Sequence, residues 1–143
     1  MAPPSRRFKP IQKLASHKER KAAAALGESL KQRDAAQQRL DELREYHGEY
    51  LQRFASATRA GVSSRQIMEY QVFINKLEAA IAQQQEIVSR SQQDCDSSKA
   101  QWRGRYSTSK AVEHVVGRMQ RAERRDQERQ EQSESDERAQ RKR

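Results

Sequence analysis

From Ile67 to Trp102 the chain carries a stripe spaced alternately three and four residues apart: Ile67, Tyr70, Ile74, Leu77, Ile81, Gln84, Val88, Ser91, Cys95, Ser98, Trp102. That period describes one face of a long coiled-coil helix and not the core of a globule. A matching stripe precedes it in Ala22, Leu26, Ala36, Leu40, Leu43, His47, Tyr50 and Phe54, with Ser29 and Arg33 as polar members. Two such helices in 143 residues imply a hairpin.

Composition agrees with that reading. Hydrophobic residues make up 34% of the chain and charged residues another 34%, which leaves little material for a thick core. Three Pro and five Gly among abundant Gln, Arg, Ala, Glu and Lys favour extended helix. The expected fold is all-α, a long antiparallel two-helix coiled-coil hairpin with disordered termini. Each arm, about 45 residues, would reach roughly 70 Å at 1.5 Å per residue.

The connection is legible in detail. The turn falls near 56–64, with Gly61 as its flexible point. Ser63 and Gln66 have capping-box spacing, and Val62 is placed to staple against Ile67. A tip at Ala60 and Gly61 makes facing positions add to about 121 in an antiparallel pair. That register sets Phe54 against Ile67, Leu40 against Ile81, and Ala22 to Ala25 against Asp96 to Lys99.

Three regions follow: a flexible basic arm over 1–7, the hairpin over 8–119, and a charged mobile tail over 120–143. Past Trp102 the seam weakens through Gly104, Ser107, Thr108 and Ser109, where a bend or frayed zone is expected. It resumes at Val112, Val116 and Met119, with Phe8 and Ile11 as opposing residues. The tail has no apolar residue larger than alanine, so it buries too little to fix its own structure.

The formal charge of +9 raises the question of a polyanionic partner. The excess is concentrated at the start, where Arg6, Arg7, Lys9, Lys13, Lys18, Arg20 and Lys21 face the single acid Glu19. No apolar run approaches the roughly 20 residues of a membrane span, and Met1 to Arg7 lack a following signal region, so a cytoplasmic location is expected.

Chemistry is not expected of this chain, and no cofactor or metal is expected. The five glycines stand apart at 27, 48, 61, 104 and 117, so no phosphate loop forms. His17, His47 and His114 lack metal-ligand spacing, and Cys95 is read as a small seam residue. A two-helix hairpin also lacks the dry concave site that enzymes need.

What exceeds the needs of the seam is a second apolar stripe. Leu43, Tyr46 and Tyr50 climb one helix at spacings of three and four, and Phe73, Leu77, Ala80 and Gln84 do so on the other. A solvated coiled coil would place Lys or Glu at several of these positions, so the stripe reads as a partner surface.

Tyr46-His47-Gly48-Glu49-Tyr50, then Tyr70-Gln71-Val72-Phe73-Ile74-Asn75-Lys76-Leu77-Glu78-Ala79-Ala80-Ile81, and the isolated Trp102 resemble the flagellar export protein family FliJ. The specific part of the resemblance lies between about Leu40 and Gln84. It implies a soluble stalk-like coiled coil of the flagellar type III export apparatus, needed for flagellum assembly and motility and held at the cytoplasmic face of the inner membrane through its partners. Those partners would be the export ATPase ring, whose assembly it promotes, the cytoplasmic domain of the membrane export-gate protein, and the export chaperones that it escorts.

By the same resemblance the gate-binding face maps onto Leu43, Tyr46, Tyr50, Phe73, Leu77 and Ala80. Arg39 and Gln84 flank it and depart from the family pattern. The ATPase contact would lie at the open end of the hairpin, with Arg6, Arg7, Lys9, Lys13, Arg103 and Arg105 as its cations, since a carboxylate-lined lumen would attract them. Two other readings compete: the equivalent stalk of a virulence type III secretion system, and a basic helical nucleic-acid-binding protein. The tail's acids and the placement of the aromatics on a helical seam oppose the second, and no nucleic acid is expected as a partner.

Overall fold

A computed structural model describes residues 3–142. Two helices account for nearly all of them: α1, Pro4–Ala60, and α2, Ser64–Arg141, packed against each other as a hairpin. No strand occurs among the described residues. The chain divides into a tip unit, Ala25–Lys99, and an open-end unit made of Met1–Ala24 with Ala100–Arg143.

The turn is built as its residues dictate. α1 stops where Gly61 takes a φ of 84°, a left-handed conformation that costs glycine nothing, and the Gly61 amide donates to the Thr58 carbonyl at 3.3 Å. Ser63 then caps α2. The Gln66 amide donates to Ser63 Oγ at 3.3 Å, and the Ser63 amide donates to Gln66 Oε1 at 3.3 Å. This reciprocal pair is the capping box that the spacing of Ser63 and Gln66 indicates.

In the tip unit every member of the two seam stripes is buried or half-buried, including the polar entries Ser29, Arg33, Gln84, Ser91 and Ser98. Leu40 at 4% exposure and Ile74 and Leu77 at 7% each form the apolar centre. Each such side chain contributes about 1.5–3 kcal/mol on burial. Polar seam members find partners inside the seam: Gln84 Nε2 donates to the Ala36 carbonyl at 3.0 Å, and the Ser29 and Ser98 hydroxyls bond each other at 2.9 Å. Cys95 is fully buried and its thiol donates to the Ser29 carbonyl at 3.0 Å, so it fills a layer where the helices come close.

Several cross-helix pairs depart from the simple register in the same direction. Phe54 packs on Tyr70 with ring centroids 5.7 Å apart, one turn beyond Ile67, and Ser98 meets Ser29 where Ala23 was expected. The reason is the tilt of the Cα–Cβ bond toward the N-terminus of its own helix. Side chains of α1 lean away from the tip and those of α2 toward it. In these pairs the touching side chains stem from positions further along the chain than a backbone register implies, while Trp102 and Glu19 keep the expected one.

In the open-end unit α2 runs unbroken through Gly104 to Ser109, where a bend or frayed zone was expected. Small residues there cost helix at most about 1 kcal/mol each, and side chains brace the stretch. Trp102 stacks on Tyr106 at 5.3 Å, and Lys110 lies over the Tyr106 ring at 5.6 Å. Val116, 2% exposed, anchors the resumed seam, with Phe8, Gln12, Ala15 and Glu19 on α1 half-buried. Ile11 is displaced from the seam and stands 49% exposed on its flank.

Met1, Ala2 and Arg143 lie outside the described residues, and the expected arm and tail are helical from Pro4 and up to Arg141. α1 begins at Pro4, whose missing N–H is no loss in a first turn, and continues through Pro10. Every residue from 124 to 142 is exposed. Helix there rests on its own backbone bonds and on pairs such as Gln127 with Glu131, not on packing.

Two substitutions measure these devices by urea unfolding. Ser63→Ala should cost about 1 kcal/mol by removing the cap of α2. Cys95→Leu should cost about 1–3 kcal/mol, because the fully buried position has no room for two further carbons.

Candidate functional site

Tyr50 stands at the centre of an aromatic cluster on the tip unit. Its ring lies 4.3 Å from Phe73, 5.2 Å from Tyr46 and 6.3 Å from Tyr70. Tyr46 meets Phe73 edge-on at 6.1 Å, Phe54 closes the group against Tyr70, and the Arg53 guanidinium covers Tyr50 at 5.2 Å. Spacings of three and four bring Tyr46, Tyr50 and Phe54 onto one side of α1, and Tyr70 with Phe73 onto the facing side of α2.

The cluster is only partly covered. Tyr46 is 41% exposed, while Tyr50, Tyr70 and Phe73 are half-buried. Such rings present flat apolar area with few rotatable bonds, the kind of surface that anchors protein partners. The Tyr50 phenol beside it raises the Tyr46 pKa further above neutrality, and the neutral Tyr46 phenol can donate a hydrogen bond.

The other gate-face candidates fall into distinct places. Leu43 and Ala80 are half-buried at the margin, and Arg39 is exposed. Leu77 is buried in the seam at 7% exposure, and the Gln84 amide is engaged by Ala36, so both support the surface from within. His47 bridges the helices at the seam edge, with Nε2 3.2 Å from Glu78 Oε1.

The expected stripe omits four exposed apolar residues of the same unit, Leu51, Met68, Val72 and Ile87. Met68 at 64% and Val72 at 52% exposure line a shallow recess with Phe73, between Arg65 and Lys76. They lie off the seam, and apolar residues at off-seam positions were the available signal.

In the open-end unit the candidate cations Arg6, Arg7, Lys9, Lys13, Arg103 and Arg105 are all exposed, and none forms an ion pair within 4.0 Å among the described residues. Their presentation depends on a contact that sequence reading missed. Glu123 of α2 accepts the Ser5 amide at 2.9 Å and the Ser5 hydroxyl at 2.6 Å, and Ser5 is buried at 6% exposure. A carboxylate from the second helix thus caps the first turn of α1, where orphan amides and the helix dipole favour negative charge. It fixes the turn that carries Arg6 and Arg7.

Glu19, the single acid among the early cations, accepts the Trp102 indole N–H at 2.9 Å. The expected register already sets Glu19 against Trp102, and the spare carboxylate was the signal. Lys110 is held above its ordinary pKa by Glu113, 3.2 Å away. No group of three or more His, Cys, Asp or Glu among the described residues could hold a metal ion, and no helix is long and apolar enough to cross a membrane.

The two hydrogen bonds from Ser5 pull the Glu123 pKa below the usual carboxylate range. Its capping contribution is therefore complete above that range and is lost as pH falls through the lowered value. The Ser5 amide NMR signal should titrate with Glu123 in this acidic window. In Glu123→Gln the titration should vanish and the first turn of α1 should exchange its amides faster.

The family described as Flagellar FliJ protein matches this chain over residues 4–142. A curated relative, the Flagellar FliJ protein of Escherichia coli (strain K12), is 32% identical over 93 residues. That alignment covers 65% of this chain and 63% of the relative, so it spans less than two thirds of the relative's length.

Proposed function

Because this chain belongs to the flagellar FliJ family, we propose that it serves flagellar protein export as a non-catalytic coiled-coil linker with two docking surfaces. One is the aromatic face of the tip unit, which binds the cytoplasmic domain of the membrane export-gate protein. The other is the basic open end, which enters the export ATPase and promotes its ring assembly.

The observation that carries this reading is the cluster of Tyr46, Tyr50 and Phe73. A hairpin stabilised only by its seam gains little from a half-exposed aromatic group flanking it, and solvated positions of that kind ordinarily carry Lys or Glu. Tyr46, Tyr50 and Phe73 supply the contact area, with Leu43 and Ala80 at its margins and Arg39 on the outer rim. Leu77 and Gln84 hold the seam behind it.

At the open end Arg6, Arg7, Lys9, Lys13, Arg103 and Arg105 contact acidic residues of the ring, and the Glu123 cap keeps the first two in a fixed turn. The chain acts through differential contacts with the nucleotide states of the ring, so its effect on hydrolysis is a coupling between binding surfaces. Chaperone escort would use the same exposed faces when the gate is disengaged. A location at the inner face of the membrane follows from these partners.

Tyr50→Ala combined with Phe73→Ala should leave helical content by circular dichroism unchanged at room temperature and weaken binding to the gate domain by about tenfold or more. Unchanged gate affinity, or loss of helix, would return these rings to the hairpin interface. With the cognate export ATPase, the purified protein should raise both hydrolysis rate and ring size. No change in either would remove the open end from the proposal.

A further inference from the structure

The second helix carries a basic stripe of which the two docking surfaces absorb only Arg103. At about 100° per residue, Arg103, Lys110, Arg118, Arg121, Arg125 and Arg129 all project within about 60° of the direction opposite Val116, the seam anchor of the open-end unit. All six are exposed. His114 shares the face, Glu128 is its one acid, and Lys110 is partly offset by Glu113 at 3.2 Å. Ser107, Ala111 and Ala122 share the face with the cations and are exposed, so small residues separate several of the charges.

We propose that this outward face of α2 binds directly to an anionic phospholipid surface. Three properties favour a lipid surface over other polyanions. The stripe follows one helix for about 39 Å at 1.5 Å per residue, and a plane can meet all of its charges together. A nucleic acid duplex curves away from a straight helix within about the 12 Å width of its major groove. The face also lacks any aromatic residue on which single-stranded bases could stack.

The absence of large apolar residues from the face makes the contact purely electrostatic: the helix lies on the headgroups and does not insert. At physiological salt, with a screening length of about 8 Å, each cation near an anionic leaflet strengthens binding about fivefold. Arg103 is shared with the proposed ATPase contact, and the lipid-bound state is one in which the open end is free of the ATPase.

The test uses the full chain alone, without ATPase or gate protein, so its outcome is independent of the reading above. In flotation at physiological salt, the protein should bind vesicles of phosphatidylglycerol and phosphatidylcholine in equal parts and not vesicles of phosphatidylcholine alone. Binding should disappear at about 1 M salt, where screening shortens to about 3 Å. Arg118→Gln with Arg121→Gln and Arg125→Gln should keep helical content and weaken binding about a hundredfold, from three fivefold steps.

Arg6→Gln with Arg7→Gln and Lys9→Gln, on the other helix, should change it little. Failure of the wild type to bind anionic vesicles would overturn the proposal, as would loss of binding in the α1 variant with retention in the α2 variant. Tighter binding to a single-stranded oligonucleotide or to polyglutamate than to anionic vesicles, at the same salt and lost in the α2 variant, would reassign the stripe to nucleic acid or to an acidic protein.

Discussion

A pair of helices can bury only the narrow strip along which they touch, and everything else about this protein depends on that limit. No third element is present among the described residues to cover the outer faces. Apolar centre positions such as Leu40, Ile74 and Leu77 are few, and the seam between them is completed by small and polar residues that satisfy one another. Ser29 with Ser98, Cys95 with the Ser29 carbonyl, and Gln84 with the Ala36 carbonyl are closed pairs. No buried side-chain nitrogen or oxygen among the described residues lacks a partner.

The same limit gives meaning to what lies outside the strip. In a globular protein a half-exposed Tyr or Phe is ordinary. On a two-helix hairpin it sits where charge would serve solubility better, and several such rings in mutual contact make up the surface proposed above for docking. Polar surroundings sharpen it: Arg53 lies over Tyr50 and Arg65 and Lys76 border the recess beside Phe73. A partner with apolar anchors and an acidic rim would fit there.

At the open end the problem is different, since the helices must be held where the seam is weakest. Here the chain uses polar contacts between helices: Glu123 on the first turn of α1 and Glu19 on the Trp102 indole. Both bring carboxylates to a region rich in Arg and Lys, which limits self-repulsion and leaves the exposed cations available. Beyond Glu123 no packing remains, and the helix to Arg141 depends on local interactions.

The sequence by itself determined the two helices, their antiparallel order, the seam and the turn, because each rests on local rules. A period between three and four, a glycine at a left-handed position and a Ser63–Gln66 cap are all read within a few residues. Even the aromatic cluster followed from spacing plus a hairpin register. Only the tertiary structure decided which side chains touch: that Phe54 reaches Tyr70, that the Ser29 and Ser98 hydroxyls meet, and that Glu123 caps Ser5. Those contacts join residues far apart in the chain. They depend on the lean of Cα–Cβ bonds across two helices, a geometry that no local pattern encodes.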